Sequence, residues 1–178
     1  MALTATIYNF DIELADSDRQ LYESLALRVA RHPSESEDYL VTRVLAYLLE
    51  YAEGIDFSRG VSDPDEPTVF VKDLTGRITT WIDIGTPDAA RLHKAAKSGA
   101  RVVVYTHKNP DQFLKQLAGE KIHRAEALEL YAMDRPLVAA LAARLDRRVA
   151  FSVSITDREL YISIGTDTLT GAVTRLTI

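Results

Sequence analysis

The chain has 178 residues, 47% hydrophobic and 26% charged, with a net charge of −5. That composition belongs to an ordinary globular protein able to bury one sizeable core, and it argues against a general nucleic-acid coat. With no cysteine, disulfides, thiolate nucleophiles and cysteine-based zinc sites are excluded. No apolar run reaches the roughly 20 residues of a membrane-spanning helix. The start, MALTATIYNFDIELADSD, has neither a basic leader nor an apolar segment, so the expectations are no membrane and a cytoplasmic location. The charge is uneven. Residues 1–86 hold 16 acids and 7 Lys/Arg, whereas residues 87–124 hold 3 acids and 8 Lys/Arg. A local basic surface beside an acidic pocket is the functional reading, and solvated helix faces the plain one.

Tyr8, Phe10, Ile12 and Leu14 alternate with Asn9, Asp11 and Glu13, which predicts a half-buried strand. After the turn ADSDR, alternation at Leu25, Leu27 and Val29 predicts a second strand pairing back as a hairpin, with helix as the competing assignment. HPSESEDYLVTRVLAYLLEYAEG is the strongest helix. Pro33 blocks helix before it, Ser34 with Glu37 fits a capping box, and Leu40, Val41, Val44, Leu45, Leu48 and Leu49 form an apolar stripe ending near Gly54. FSRGVSDPDEP reads as a loop. TVFVKD and ITTWIDIG read as two strands joined by a turn at LTGR. Thr86 and Pro87 then open a helix that stops at Gly99. ARVVVYTH is continuously apolar, as a strand buried on both faces should be, so strand, helix and strand make a parallel βαβ unit. Asn109-Pro110 starts another helix, ALELYAM a strand and PLVAALAARL a helix. VAFSVSIT, RELYISIG and GAVTRLTI close the chain as an antiparallel set. The order predicts one mixed α/β domain over 1–178, a sheet flanked by helices.

On the strand 78–85, Thr79, Trp81, Asp83 and Gly85 share one face, opposite Ile78, Thr80, Ile82 and Ile84. Asp83 thus stands near the C-terminal end of a core strand, where ligand sites of α/β sheets gather. Asp65 and Glu66 precede the neighbouring strand, and Glu35 falls in the first turn of the long helix. Such carboxylates suit Mg²⁺, which takes oxygen ligands, polarises phosphate and acidifies water. Each acid also has a simpler reason to be there. Glu35 suits the helix dipole, Asp65 and Glu66 suit a loop, and Asp83 suits backbone amides at the next helix start. The lysine expected two residues after the acid is absent, because that position is Gly85. The next helix offers Arg91, Lys94 and Lys97 at spacings of three, and Lys94 is the candidate to reach back and stabilise a transition state. Arg31 and His32 before the long helix, and Arg59 in FSRG, are further candidates for phosphate contacts. His93, His107 and His123 have no metal-ligand spacing and receive no role. GxGxxG, GxxxxGKS and GxSxG are all missing.

MALTATIY, ARHPSE, FSRG, DEP and WIDIG.PD, taken together and in order over essentially the whole chain, resemble the YaeQ family. The resemblance implies a variant of the PD-(D/E)xK restriction-endonuclease-like fold. It likens Glu35 to the acid of the first helix, Glu66 or Asp65 to the acid opening the second core strand, and Asp83 to the acid of the (D/E)xK element. Gly85 departs from that pattern, and Lys94 is the candidate replacement for the lysine. The leading expectation is Mg²⁺-dependent phosphodiester hydrolysis of nucleic acid. Asp83, Glu66 and Glu35 would hold the metal, Lys94 would assist, and Arg31, His32, Arg59, Arg91 and Lys97 would contact the strand. The rival is a catalytically inactive module of the same fold that binds nucleic acid or a protein partner.

Overall fold

The alternation at the start of the chain becomes β1, Thr6–Asp16, whose Phe10, Ile12 and Leu14 are almost fully buried. The computed structural model describes residues 4–58 and 65–178, and Arg59 lies outside them. The chain divides into two compact units, Met1–Val41 with Met133–Thr174 and Thr42–Ala132 with Arg175–Ile178.

In the first unit β2, Leu21–Arg31, pairs antiparallel with β1 along its whole length. The hairpin reading therefore holds against the helical one, because pairing and burial of Leu27 and Val29 outweigh helix propensity. The terminal strands β8, Arg148–Thr156, β9, Glu159–Ile164, and β10, Asp167–Leu176, form the expected antiparallel set. What the pattern did not reveal is that β8 also lies parallel to β1. Strict alternation of exposed and buried residues along β8 makes this sheet one-sided. The helix α4, Arg135–Ala142, is capped by Asp134 and lies close to β10. A methyl group on Gly171 would meet the Cβ atoms of Asp134 and Leu137 at 2.7 and 2.8 Å, so only glycine admits that approach.

The helix α1, Glu37–Leu49, differs from the expected amphipathic stripe. Residues 40–48 are all buried, including Thr42 and Arg43, and the Arg43 guanidinium lies 5.6 Å from the centre of the Phe57 ring. Its cap is Ser36, whose Oγ accepts the Tyr39 N–H at 3.0 Å. Ser34 does not cap, because its hydroxyl pairs with His32 Nδ1 at 2.7 Å.

Among the described residues, the second unit carries strands that pair in the order β7, β6, β5, β4, β3. A short β3, Ile55–Phe57, pairs antiparallel with β4, Val69–Lys72. β4 in turn forms the expected hairpin with β5, Ile78–Ile84. β5, β6, Arg101–Thr106, and β7, Glu129–Met133, run parallel. α2, Ala89–Lys97, and α3, Pro110–Leu117, supply the crossovers and cover one face. Leu92, Ala95, Phe113 and Leu117 form one core with Trp81, Val102 and Val104, and burying each large apolar side chain contributes about 1.5–3 kcal/mol. Asn109 and Pro110 open α3 as expected. Asp88, not Thr86, caps α2. On this unit's sheet, Arg101 bonds Glu129 at 2.9 Å and Glu50 at 2.8 Å. Tyr105 donates to Glu50 at 2.7 Å, its own pKa held well above the ordinary value by burial and then by that carboxylate. The fold is mixed α/β, with four α-helices among the described residues. No described helix is long and apolar enough to cross a membrane.

Candidate functional site

β5 delivers Asp83 to the place that the alternation required. Trp81 and Asp83 share the face covered by α2 and α3, while Ile82 and Ile84 pack on the opposite face. Both faces are buried from Trp81 onward, so Asp83, at 1% exposure, sits beneath α2. A buried carboxylate needs strong partners. They come from the first turn of the helix above it. Asp88 accepts the Arg91 N–H at 2.8 Å, which locks that turn and aims the Arg91 side chain back over the strand. Its Nε donates to Asp83 Oδ2 at 2.7 Å and its Nη2 to Oδ1 at 2.9 Å. The Thr68 N–H adds a long contact to Oδ1 at 3.4 Å. The same guanidinium donates to the main-chain carbonyl of Glu66 at 2.7 Å and lies 5.7 Å from the Trp81 ring centre.

The cation that reaches Asp83 is therefore Arg91 and not Lys94. Lys94, one turn further along α2, pairs with Asp65 on the surface. Glu66 is exposed and lines a cavity of about 440 Å³ with Asp56, Phe57, Phe70 and Lys72. It contributes its main-chain carbonyl to the Asp83 cluster. Lys97 is exposed at the end of α2.

Gly85 explains the missing lysine. β5 ends at Ile84, and Gly85 turns the chain with φ near 90°, a region that residues with a Cβ rarely adopt. It is buried, and its N–H donates to the Tyr105 carbonyl at 2.9 Å. The period-two alternation that places residue 85 beside Asp83 stops one residue too early.

Glu35 belongs to the first unit. It is buried at 6% exposure and precedes α1 by two residues, so it does not occupy the first helical turn. Its main chain closes a turn: its N–H donates to the His32 carbonyl at 2.9 Å, and its carbonyl accepts from Arg31 Nε at 3.0 Å. Arg31 and His32 thus build the approach to α1. Among the described residues, no three Asp, Glu, His or Cys side chains are grouped to hold a metal ion. A hard cation takes carboxylate oxygen and is repelled by an adjacent guanidinium. With both Asp83 oxygens engaged by Arg91, this arrangement does not fit a resident divalent ion.

The YaeQ protein family model matches residues 1–173 of the chain. The chain belongs to the YaeQ family. The YaeQ protein of Escherichia coli (strain K12), described as uncharacterized, is 32% identical over 164 residues, covering 92% of this chain and 91% of that protein. The Salmonella typhi protein matches to the same extent. Two crystal structures of YaeQ proteins resemble the fold. The one from Pseudomonas syringae has a TM-score of 0.87 at 29% identity, covering 97% of this chain and 96% of that one. The one from Xanthomonas axonopodis pv. citri has a TM-score of 0.85 at 30% identity, covering 97% and 98%. The family resemblance drawn from the motifs is thus correct.

One pair of polar residues escaped the sequence reading. His93 of α2 and His123 of the loop after α3 meet with ring centres 6.3 Å apart, at right angles. The His123 N–H donates to His93 Nδ1 at 2.9 Å. Thirty residues separate them, so no local spacing signals the pair. The usable signal was Ile122, an apolar residue between Lys121 and His123 in a charged loop, which is buried in the core that also holds Leu92.

Proposed function

We propose that this YaeQ-family protein is a nucleic-acid-binding module on a PD-(D/E)xK-type, restriction-endonuclease-like fold, and that it does not cleave through Asp83. The antiparallel β4–β5 hairpin, the α2 crossover and the parallel β6 support that fold, since they put an acid at a strand end beneath a helix. The observation that carries the reading is the two-pronged Arg91–Asp83 pair. A guanidinium stands where a nuclease of this design needs a cation, and Asp83 is its counterion. The nucleic-acid part rests on charge. Lys97, Lys108, Lys115, Lys121 and Arg124 are all exposed within the segment 87–124 that is rich in Lys/Arg, and such a surface attracts a phosphate backbone in a salt-dependent way.

A second reading keeps Mg²⁺-dependent hydrolysis, with Asp83, Glu66 and Glu35 as ligands and Lys94 assisting. Its support is the oxygen set around the Arg91 guanidinium, two Asp83 oxygens and the Glu66 carbonyl. That set suits a hard cation once Arg91 withdraws. Glu35 lies in the other unit, and its share in the ligand set rests on the family resemblance alone.

Fluorescence anisotropy with DNA and RNA panels, paired with cleavage assays in Mg²⁺ or Mn²⁺, separates the two. The module predicts binding that weakens steeply with salt and survives chelation, with the same background cleavage in wild type and Asp83→Ala. Metal-dependent cleavage that disappears in Asp83→Ala would replace it with the second reading.

A further inference from the structure

We propose that His93, Lys97, Lys121 and His123 form a phosphate-binding site on the second unit, in which the His93 Nε2–H donates to a phosphate oxygen and the lysines balance its charge. The site deepens the nucleic-acid reading, on which it rests for the identity of the ligand, by naming where a backbone phosphate sits. It is separate from the Asp83 cluster. His93 stands two residues beyond Arg91, about 200° further round the helix, and Lys97 follows one turn later on the His93 side.

Three features carry it. His93 Nδ1 accepts the His123 N–H at 2.9 Å, so the proton of the neutral ring resides on Nε2, a donor turned away from that bond. The loop is held in place, since Ile122 is 7% exposed and shares a core with Leu92 and Ala95 of α2. Anchoring Ile122 keeps its neighbours Lys121 and His123 beside the helix. The charged groups facing His93 are Lys97 from its own helix and Lys121 and His123 from that loop. Partial burial first, and then Lys97, His123 and Lys121, hold its pKa below the ordinary value. Two lysines and two histidines converging in this way disfavour a further positive charge and favour an anion.

The sign follows. A phosphate bound here favours the imidazolium, which protonates Nδ1 and gives up the His123 N–H bond there, so phosphate raises the His93 pKa toward the usual value near 6.5. Binding therefore strengthens as pH falls through the raised value. The same chemistry serves a nucleic-acid backbone or a free phosphoester.

The experiment is an NMR titration of the His93 ring with inorganic phosphate, with chloride at matched ionic strength as the control. Anisotropy with labelled duplex DNA and single-stranded RNA accompanies it, in wild type, His93→Gln and Lys97→Gln/Lys121→Gln. All substitutions lie on partly or fully exposed side chains, and amide spectra verify that the variants are folded. Phosphate, and not chloride, is expected to raise the His93 pKa in wild type. The double lysine variant is expected to lose that response, to bind nucleic acid about 10-fold or more weakly, and to have a salt slope shallower by about 2. A His93 titration that phosphate and chloride move alike, or that the lysine variant leaves intact, overturns the site. If wild type and the lysine variant bind nucleic acid equally well, the site is wrong while the nucleic-acid reading stands. If phosphate raises the His93 pKa but neither nucleic acid binds, the site stands for a free phosphoester and the nucleic-acid reading falls.

Discussion

Gly85→Lys, which restores the lysine of a (D/E)xK element in sequence, is expected to destabilise the protein and to create no nuclease. The φ of residue 85 is near 90°, and forcing a residue with a Cβ into left-handed backbone costs roughly 1–2 kcal/mol. The position is also buried, so the lysine must either desolvate its ammonium or push aside the turn into α2. The hydrogen bond from the Gly85 N–H to the Tyr105 carbonyl ties β5 to β6 at that point, and a shifted turn strains it. Urea unfolding of wild type and Gly85→Lys reads the loss directly, with Gly85→Ala reporting the backbone part alone. A Gly85→Lys protein as stable as wild type, with new metal-dependent cleavage, would mean that residue 85 does share the face of Asp83.

Asp83→Ala is the second large effect, and it tests whether the acid is there for Arg91. Removing one partner of a buried ion pair typically costs 3–5 kcal/mol, because the other charge is left without compensation. The Arg91 side chain retains 22% exposure against 2% for Asp83, so the lower end, about 3 kcal/mol, is expected. The double variant Asp83→Ala/Arg91→Met should recover most of that loss, since an apolar stem above Trp81 needs no counterion. Chemical denaturation of wild type, Asp83→Ala, Arg91→Met and the double variant gives the coupling energy. Additive losses would show that Arg91 and Asp83 do not act as a pair.

These two sites also show what the sequence could and could not reveal. Period-two alternation placed Asp83 on a buried strand end, and strand–helix–strand order gave the parallel β5 and β6, because both signals are local. The choice of partner was not local. Arg91 and Lys94 lie on the same side of α2 at a spacing of three, and side-chain reach alone does not rank them. The ranking comes from the helix start. The cap is Asp88 and not Thr86, which sets Arg91 in the first turn, above Asp83, and carries Lys94 out to Asp65. The same two-residue shift appears at α1, where Ser36 caps and Glu35 is left outside the helix. The parallel pairing of β8 with β1 joins segments more than a hundred residues apart, and the His93–His123 contact depends on a loop folding back onto a helix. Neither has a periodic signature.

Arg91 occupies the cation position at Asp83 and holds that acid as its counterion. Mn²⁺ titration followed by paramagnetic broadening of the Ile82, Asp83 and Ile84 amides tests it most directly, in wild type and in Arg91→Met. The Arg91–Asp83 pair predicts no site-specific broadening in wild type at millimolar Mn²⁺, and broadening centred on Asp83 once Arg91 is replaced. Saturable broadening at Asp83 in the wild-type protein would contradict it.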